Sequence, residues 1–212
     1  MKPSASLDFF CEFASPYTCL SALRIRALAR ARAVAVRWRP FLLGPIFRAE
    51  GLADSPLNVF PLRGSYAARD VSRRARRHGF EMRFPSTFPR NGLLPARVAL
   101  VAREEGWGET FSEAVFRAEF QEDRDISLPD VVGALVTSLG QDATRALAAA
   151  QTPEVKGALR AETEAAQRTG IFGAPSFLVD GELFWGDDRL EDALDWALGQ
   201  RGPPSDGAKA LP

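Results

Sequence analysis

The stretch from Asp8 to Leu23, which reads Asp-Phe-Phe-Cys-Glu-Phe-Ala-Ser-Pro-Tyr-Thr-Cys-Leu-Ser-Ala-Leu, constrains the fold of this chain more than any other. It opens with apolar residues of high β propensity and continues with apolar positions three and four apart, so it predicts a strand followed by a helix. Serine suits the N-cap of a helix and proline its first position, where a missing N–H leaves no donor unpaired. The helix is therefore predicted to begin at Ser15, with Pro16 next.

The Ser15 hydroxyl has two interpretations. It lies beside free backbone N–H groups and the positive end of a helix dipole, which is a favourable place to hold an anion such as a thiolate. The same serine also suits the role of an ordinary helix cap. This stretch alone leaves both interpretations open.

The two cysteines do not form a Cys-x-x-Cys motif. Cys11 falls inside the predicted strand, and Cys19 lies about one turn into the helix. We interpret both as small buried apolar residues, and no structural disulfide is predicted.

The segment from Val34 to Phe41 alternates apolar and polar residues, which predicts a second strand. The helix between the two strands, from Pro16 to about Ala31, is long enough for a right-handed crossover. The N-terminal unit is therefore predicted to be βαβ.

From Leu42 to about Gln167 the pattern changes to helices bounded by proline at first turns and glycine at ends. The segment from Phe80 to Pro95 is rich in proline and predicts a loop. The candidate helices are Gly64 to His78, Pro95 to Glu105, Glu109 to Gln121, Leu128 to Leu139, Gln141 to Ala150 and Pro153 to Arg168.

After Gly170 the chain returns to strand signals. Ala174 to Val179 and Glu182 to Trp185 flank an Asp-Gly turn, which predicts an antiparallel hairpin. Leu190 to Leu198 then predicts a terminal amphipathic helix with Trp196 facing inward.

The order βαβ, helical insertion, ββα predicts an α/β fold: a thioredoxin-like domain that carries a large inserted all-helical domain. We assign residues 7–41 and 169–198 to the thioredoxin-like domain and residues 42–168 to the insertion. Residues 199–212, rich in Gly, Pro and Ser, predict a disordered tail. In such a topology the proline before the third strand, Pro175, lies beside the start of the first helix and is often cis.

Charge and length exclude several function classes. The chain of 212 residues carries 27 Lys plus Arg and 27 Asp plus Glu, so no net charge draws it to nucleic acid or to anionic lipid. No stretch approaches the roughly 20 apolar residues of a membrane span, and the N-terminus lacks the apolar run of a signal peptide. We predict a cytoplasmic protein without nucleic-acid or membrane partners.

The chain has too few histidines for several common types of catalytic site. His78 is the only histidine, so a Ser/His/Asp triad or a metal site with several imidazoles is hard to assemble, and no metal is predicted. The arginines before it, between Arg69 and Arg77, are interpreted as a solvated helix face.

Three motifs together resemble one family. They are Ser15-Pro16-Tyr17-Thr18, the run from Phe172 to Gly181 (Phe-Gly-Ala-Pro-Ser-Phe-Leu-Val-Asp-Gly), and Phe184 to Leu190 (Phe-Trp-Gly-Asp-Asp-Arg-Leu). The chain resembles 2-hydroxychromene-2-carboxylate isomerases, relatives of kappa-class glutathione transferases within the DsbA-like group. The resemblance extends from about Leu7 to Leu198.

The resemblance implies glutathione as cofactor. It implies that Ser15 is the catalytic serine that holds the glutathione thiolate, that the backbone around the proline pairs with the cysteinyl part, and that the Trp-Gly-x-Asp-Arg segment receives the γ-glutamyl end. The implied glutathione-binding residues are Ser15, Ala174, Pro175, Trp185, Gly186, Asp187 and Asp188.

The resemblance also covers the insertion. Arg63, Tyr66 and Asp70 follow the family's Lys-x-x-Tyr-x-x-x-Asp pattern, with arginine in place of lysine, and Phe88 to Arg97 resembles its Asn-containing loop. Arg63 and Asn91 are the implied contacts of the second, small aromatic substrate. A homodimer is implied in the same way.

The implied reaction is isomerisation of 2-hydroxychromene-2-carboxylate, or of a related α,β-unsaturated aryl pyruvate, by reversible addition of the glutathione thiolate. Four residues depart from the family's usual pattern at positions that border the site and so bear on the acceptor substrate. They are Glu12, Ala14, Thr18 and Cys19.

Three other functions remain open. A kappa-like glutathione transferase needs the same activated thiolate and conjugates its electrophile. A thiol-disulfide oxidoreductase needs an attacking thiol at position 15 and a resolving one at position 18, where this chain has Ser15 and Thr18. A non-catalytic thioredoxin-like binding module would bind no glutathione.

Overall fold

A computed structural model describes residues 5–200, and its four-stranded sheet has the order β2-β1-β3-β4. β1 (Ser6–Cys11) runs parallel to β2 (Ala35–Pro40) and antiparallel to β3 (Ser176–Val179), which pairs with β4 (Glu182–Trp185) in an antiparallel hairpin. The predicted βαβ and ββα units therefore share one sheet, and the thioredoxin-like prediction is confirmed.

Helices account for most of the remaining described chain. The helix α1 connects β1 to β2, α2 to α9 lie between β2 and β3, and α10 follows a short 3₁₀ turn at Asp187–Arg189. Their bounds are α1 Pro16–Ala31, α2 Leu43–Ala49, α3 Pro56–Val59, α4 Pro61–Arg77, α5 Leu93–Glu104, α6 Gly108–Phe120, α7 Pro129–Ser138, α8 Ala143–Ala149, α9 Pro153–Arg168 and α10 Leu190–Ala197.

The strand β1 lies at the centre of the core because apolar side chains cover both of its faces. Phe9 stacks on Phe177 with ring centroids 5.4 Å apart and contacts the edge of Trp38 at 4.8 Å. Phe10 points to the opposite face, where it meets the ring of Phe41. This is the period of two that a strand imposes on its side chains.

Every helix predicted from the sequence forms, with ends within three residues of the prediction, and the hairpin and terminal helix form as well. The short helices α2 and α3 have no counterpart in the prediction. The N–H of Leu42, the residue just before α2, donates to the Thr163 hydroxyl of α9 at 3.2 Å. A hydrogen-bond partner 121 residues away leaves no signal in the local sequence.

The division into residues 7–41 with 169–198 and residues 42–168 stays a prediction. One buried apolar cluster includes Phe9 and Trp38 of the sheet together with Val98 and Phe116 of the insertion. Within the predicted tail, residues 201–212 lie outside the described residues. Between residues 5 and 200, no helix combines the length and apolar character needed to cross a membrane.

Candidate functional site

Ser15 caps the N-terminus of α1, as the sequence predicts. Its Oγ accepts the N–H of Thr18 at 3.2 Å and donates to the carbonyl oxygen of Ala174 at 2.9 Å. The peptide bond between Ala174 and Pro175 is cis. The start of the first helix and the loop before β3 therefore meet at one hydroxyl, although they are 159 residues apart in sequence.

A cavity of about 530 Å³ opens beside Ser15. Its walls are mainly apolar and come from residues 42–57, from the loop at residues 88–93, and from Phe172, Ala174 and Trp185. This volume lies in the usual range for a small-molecule site. The helices α2 and α3, which the sequence did not reveal, supply much of one wall.

The end of β4 forms one rim of the cavity. The half-exposed Trp185 packs its ring against Phe172, with centroids 4.7 Å apart. Gly173 lies directly under the Trp185 indole, so a Cβ at that position would collide with the indole Nε1. Gly186 has φ of 111°, and a Cβ there would lie 2.6 Å from Asp188 Oδ1. A side chain at either position would therefore displace a predicted site residue, Trp185 or Asp188.

Asp187 and Asp188 are neighbours in sequence but differ in burial and in their hydrogen-bond partners. The carboxylate of Asp187 is fully buried and accepts hydrogen bonds from Ser21 Oγ at 2.9 Å, Arg24 at 2.7 Å and Arg74 at 2.7 Å. That carboxylate is closed to a ligand. Asp188 is exposed and pairs with the exposed Arg189 at 3.0 Å.

The same contacts correct the interpretation of the arginine-rich helix as a solvated face. Arg73, Arg76 and Arg77 are exposed as expected, but Arg74 docks on Asp187 through two nitrogens. The sequence of α4 alone does not show which of its arginines contacts Asp187 and which face solvent.

The two residues predicted to contact a second substrate lie in different places. Asn91 lines the cavity, and its Oδ1 accepts the N–H of Leu93 at 2.9 Å, at the start of α5. Arg63 is exposed, lies over the ring of Phe60 at 4.3 Å, and is not among the residues that line the cavity. Of the two, only Asn91 is brought to the predicted site.

Tyr17 and Asp70 connect the cavity to the insertion. The Tyr17 hydroxyl donates to Asp70 Oδ2 at 3.0 Å and joins α1 to α4. Burial raises the pKa of Tyr17 above its usual range, and the Asp70 carboxylate adds to the shift. The phenol therefore stays protonated at neutral pH.

Glu12 is a cavity residue that in sequence stands out only as a departure from the family pattern. It follows β1 directly, lines the cavity, and is 8% exposed. Burial raises its pKa to about 8, with the charge of Glu119 adding to the shift and the backbone N–H groups of Ala14 and Ser15 opposing it. The available signal was an acidic residue inside an apolar run.

Cys11 and Cys19 are free and buried, as predicted. Burial raises the pKa of each thiol well above its usual range. Neither thiol is therefore a thiolate at neutral pH, and neither lines the cavity within the described chain. Residues 5–200 also hold no group of His, Cys, Asp or Glu placed to bind a metal.

Comparison with known proteins places this geometry among relatives. The family model of the DsbA-like thioredoxin domain matches residues 6–196 of this chain. The chain is 29% identical over 188 residues to 2-hydroxychromene-2-carboxylate isomerase of Sphingobium xenophagum, covering 88% of this chain and 94% of that protein. It is 28% identical over 214 residues to glutathione S-transferase kappa 1 of Homo sapiens, covering 92% of each chain.

A solved structure has the same fold. A 2-hydroxychromene-2-carboxylate isomerase superposes with a TM-score of 0.83 at 23% identity, covering 92% of this chain and 95% of that one. The agreement extends over the sheet and the helical insertion together.

Proposed function

The chain belongs to the family of DsbA-like thioredoxin domains, and from that premise we propose that it is a glutathione-dependent isomerase of 2-hydroxychromene-2-carboxylate or a related α,β-unsaturated aryl pyruvate. One observation carries the proposal: the Ser15 hydroxyl lies at a helix N-terminus, contacts the backbone of Ala174, and lines an apolar cavity of about 530 Å³. The names of the curated relatives, an isomerase and a glutathione transferase, support it.

The residues at the β3–β4 rim fit a peptide cofactor. Ala174, which lines the cavity just ahead of β3, offers a backbone edge to an extended peptide. Asp188 offers an exposed carboxylate that suits an ammonium group. Because the Asp187 carboxylate is buried and already paired, we assign the contact with the ammonium group of glutathione to Asp188. Trp185 and Gly186 form the surface next to it.

When bound, glutathione supplies a thiolate that adds reversibly to the conjugated carbon of the acceptor. Ser15 donates a hydrogen bond to that sulfur, which lowers the thiol pKa together with the dipole of α1. For this the hydroxyl turns from its present acceptor, the Ala174 carbonyl. The apolar walls from α2 and α3 hold the aromatic part of the acceptor and exclude water, while Asn91 offers a polar contact.

Calorimetry with glutathione tests the proposal first. We expect saturable binding. If the protein binds no glutathione at millimolar concentration, the proposal is wrong and a non-catalytic binding module becomes the better interpretation. A kappa-like transferase is the second candidate, since the same serine serves both reactions. An isomerase assay beside a chloro-nitroaromatic conjugation assay separates the two, because only isomerisation returns glutathione unchanged.

A disulfide-exchange function has less support from the geometry. It needs an accessible thiolate, and Cys11 and Cys19 are buried with raised pKa values. Insulin reduction that depends on Cys19 would revive it. A cytoplasmic homodimer stays a prediction, which fractionation and light scattering test.

A further inference from the structure

Glu12 lies at the cavity, three positions before the serine proposed to act in catalysis. Its carboxyl group faces the loop of residues 88–93: a Cβ added at Gly92 would lie 3.2 Å from Glu12 Oε1 and 3.3 Å from Phe13 Cβ. A side chain at position 92 would therefore press against this carboxyl group. Glycine keeps the space beside it open.

Glu12 lies on the acceptor side of the cavity. Ser15 contacts Ala174, on the side assigned to the cofactor. Glu12 instead adjoins the loop that carries Asn91, the residue assigned to the second substrate, and both line the same cavity. A group at this position would contact the acceptor, which is the substrate that the reaction converts.

The surroundings keep the carboxyl group protonated. Burial raises the pKa of Glu12 to about 8, so at neutral pH most molecules carry a carboxylic acid there. Glu119 on α6 adds a like charge, and Arg90, 3.3 Å from Glu119, offsets part of it. Cys11, on β1, stays a neutral thiol. The backbone N–H groups of Ala14 and Ser15 oppose the shift, and among the described residues that act on this pKa no side chain donates a hydrogen bond to the Glu12 carboxyl group.

We propose that Glu12 is a further catalytic residue, the acid that protonates the keto oxygen of the acceptor. As a nucleophile adds to the conjugated carbon, the π electron pair moves through the conjugated system and leaves negative charge on the keto oxygen. The Glu12 O–H bond breaks and an O–H bond forms on that oxygen, which leaves a carboxylate on Glu12. When the nucleophile departs, the proton returns and both groups are restored. This role rests on the proposed function.

Binding of an unreactive probe tests the inference without glutathione. 2-Oxo-4-phenylbutanoate has the aryl and keto-acid groups but lacks the conjugated double bond. We expect its affinity for the wild-type protein to fall about tenfold or more between pH 6.5 and pH 9.5, because ionised Glu12 loses its donor and repels the probe's carboxylate. The Glu12→Gln variant should show less than about a twofold change.

Three controls make the binding result specific. Glu12→Asp keeps a carboxylic acid and should restore the pH dependence. Burial raises the pKa of Glu119 to about 7, so Glu119 also titrates in this range; Glu119→Gln should keep the pH dependence and move its midpoint to lower pH. Urea unfolding shows whether each variant is folded.

Kinetics supply the second measurement. We expect Glu12→Gln to keep its glutathione affinity within about twofold of the wild type. Its kcat should fall about 100-fold, and the decline of kcat at alkaline pH should disappear. Unchanged kcat, absence of probe binding at pH 6.5, or a pH dependence that survives in Glu12→Gln would overturn the inference. A protein that binds the probe in this manner but ignores glutathione would instead contradict the proposed function alone.

Discussion

The hydroxyl of Ser15 has two structural roles in one residue. It caps α1 through Thr18 and contacts the carbonyl of Ala174. A substitution at this position therefore removes a helix cap and a candidate thiolate donor together. Separate variants are needed to tell the two losses apart.

We expect Ser15→Ala to lower turnover by roughly tenfold to a thousandfold, since one anion-stabilising donor is lost, and to lower the unfolding free energy by about 1 kcal/mol. Ser15→Gly also lacks the hydroxyl but retains most of the capping stability. Turnover with saturating glutathione and urea unfolding measure both effects. Wild-type turnover in the glycine variant would show that the hydroxyl is not the donor.

Asp187→Asn and Asp188→Asn form a matched pair at neighbouring positions. The first leaves Arg24 and Arg74 without their buried carboxylate, so we expect the unfolding free energy to fall by about 3 kcal/mol. The second removes an exposed charge and should change stability by less than about 0.5 kcal/mol while weakening glutathione binding. Urea unfolding and calorimetry distinguish them; equal destabilisation would contradict this assignment.

These residues mark how far the sequence predicts the site. Ser15 is predictable because a cap is a local signal, and Pro175 because it precedes a recognisable hairpin. Asp187 and Asp188 look equivalent in sequence, since the difference comes from arginines on α1 and α4. Glu12 gains its properties from burial, from its place beside the loop at residue 92 and from the charge of Glu119 on α6, which the chain near it does not encode.

At the scale of elements, local patterns predicted α1 and α4 to α10 and missed the two short helices α2 and α3. Thr152 caps α9 from the adjacent position, and Asp142 does the same for α8. The N–H of Leu42, just before α2, has its partner on α9, and α3, which Ser55 caps, spans only Pro56–Val59. The cavity wall that these two elements form was therefore invisible in the sequence.

Gly173→Ala tests how the loop before β3 positions β4. The new Cβ would displace the Trp185 indole from its contact with Phe172, and we expect glutathione affinity to fall about tenfold. Gly157→Ala, in an open stretch of α9, is the control: it should leave affinity unchanged and raise the unfolding free energy by about 0.5 to 1 kcal/mol. An unchanged dissociation constant for Gly173→Ala would remove Trp185 from the binding site.

At the scale of the whole molecule, the order of elements predicted the topology, and the two buried glutamates predict how stability varies with pH. The pKa values of Glu12 and Glu119 are raised to about 8 and about 7, mainly by burial. The native state therefore binds more protons than the unfolded state above the ordinary glutamate pKa, and stability falls as pH rises through this window.

We expect the unfolding free energy to decline between about pH 5 and pH 8, by up to about 1.4 kcal/mol per pH unit for each group. Glu12→Gln should reduce this slope and be more stable than the wild type at pH 8. Urea unfolding at pH 5, 6.5 and 8 measures it. A wild-type stability that rises across this range would show that neither carboxyl group is protonated in the folded protein.

The shared carboxylate of Asp187 limits how this protein can be re-engineered. It joins α1, α4 and the turn before α10, three segments that are far apart along the chain. A graft that replaced residues 42–168 with a shorter connection would remove Arg74 and leave that carboxylate with one arginine, Arg24, beside Ser21. A chimaera made by exchanging helical regions between relatives should therefore carry a compatible arginine, or the neighbouring loop loses its anchor.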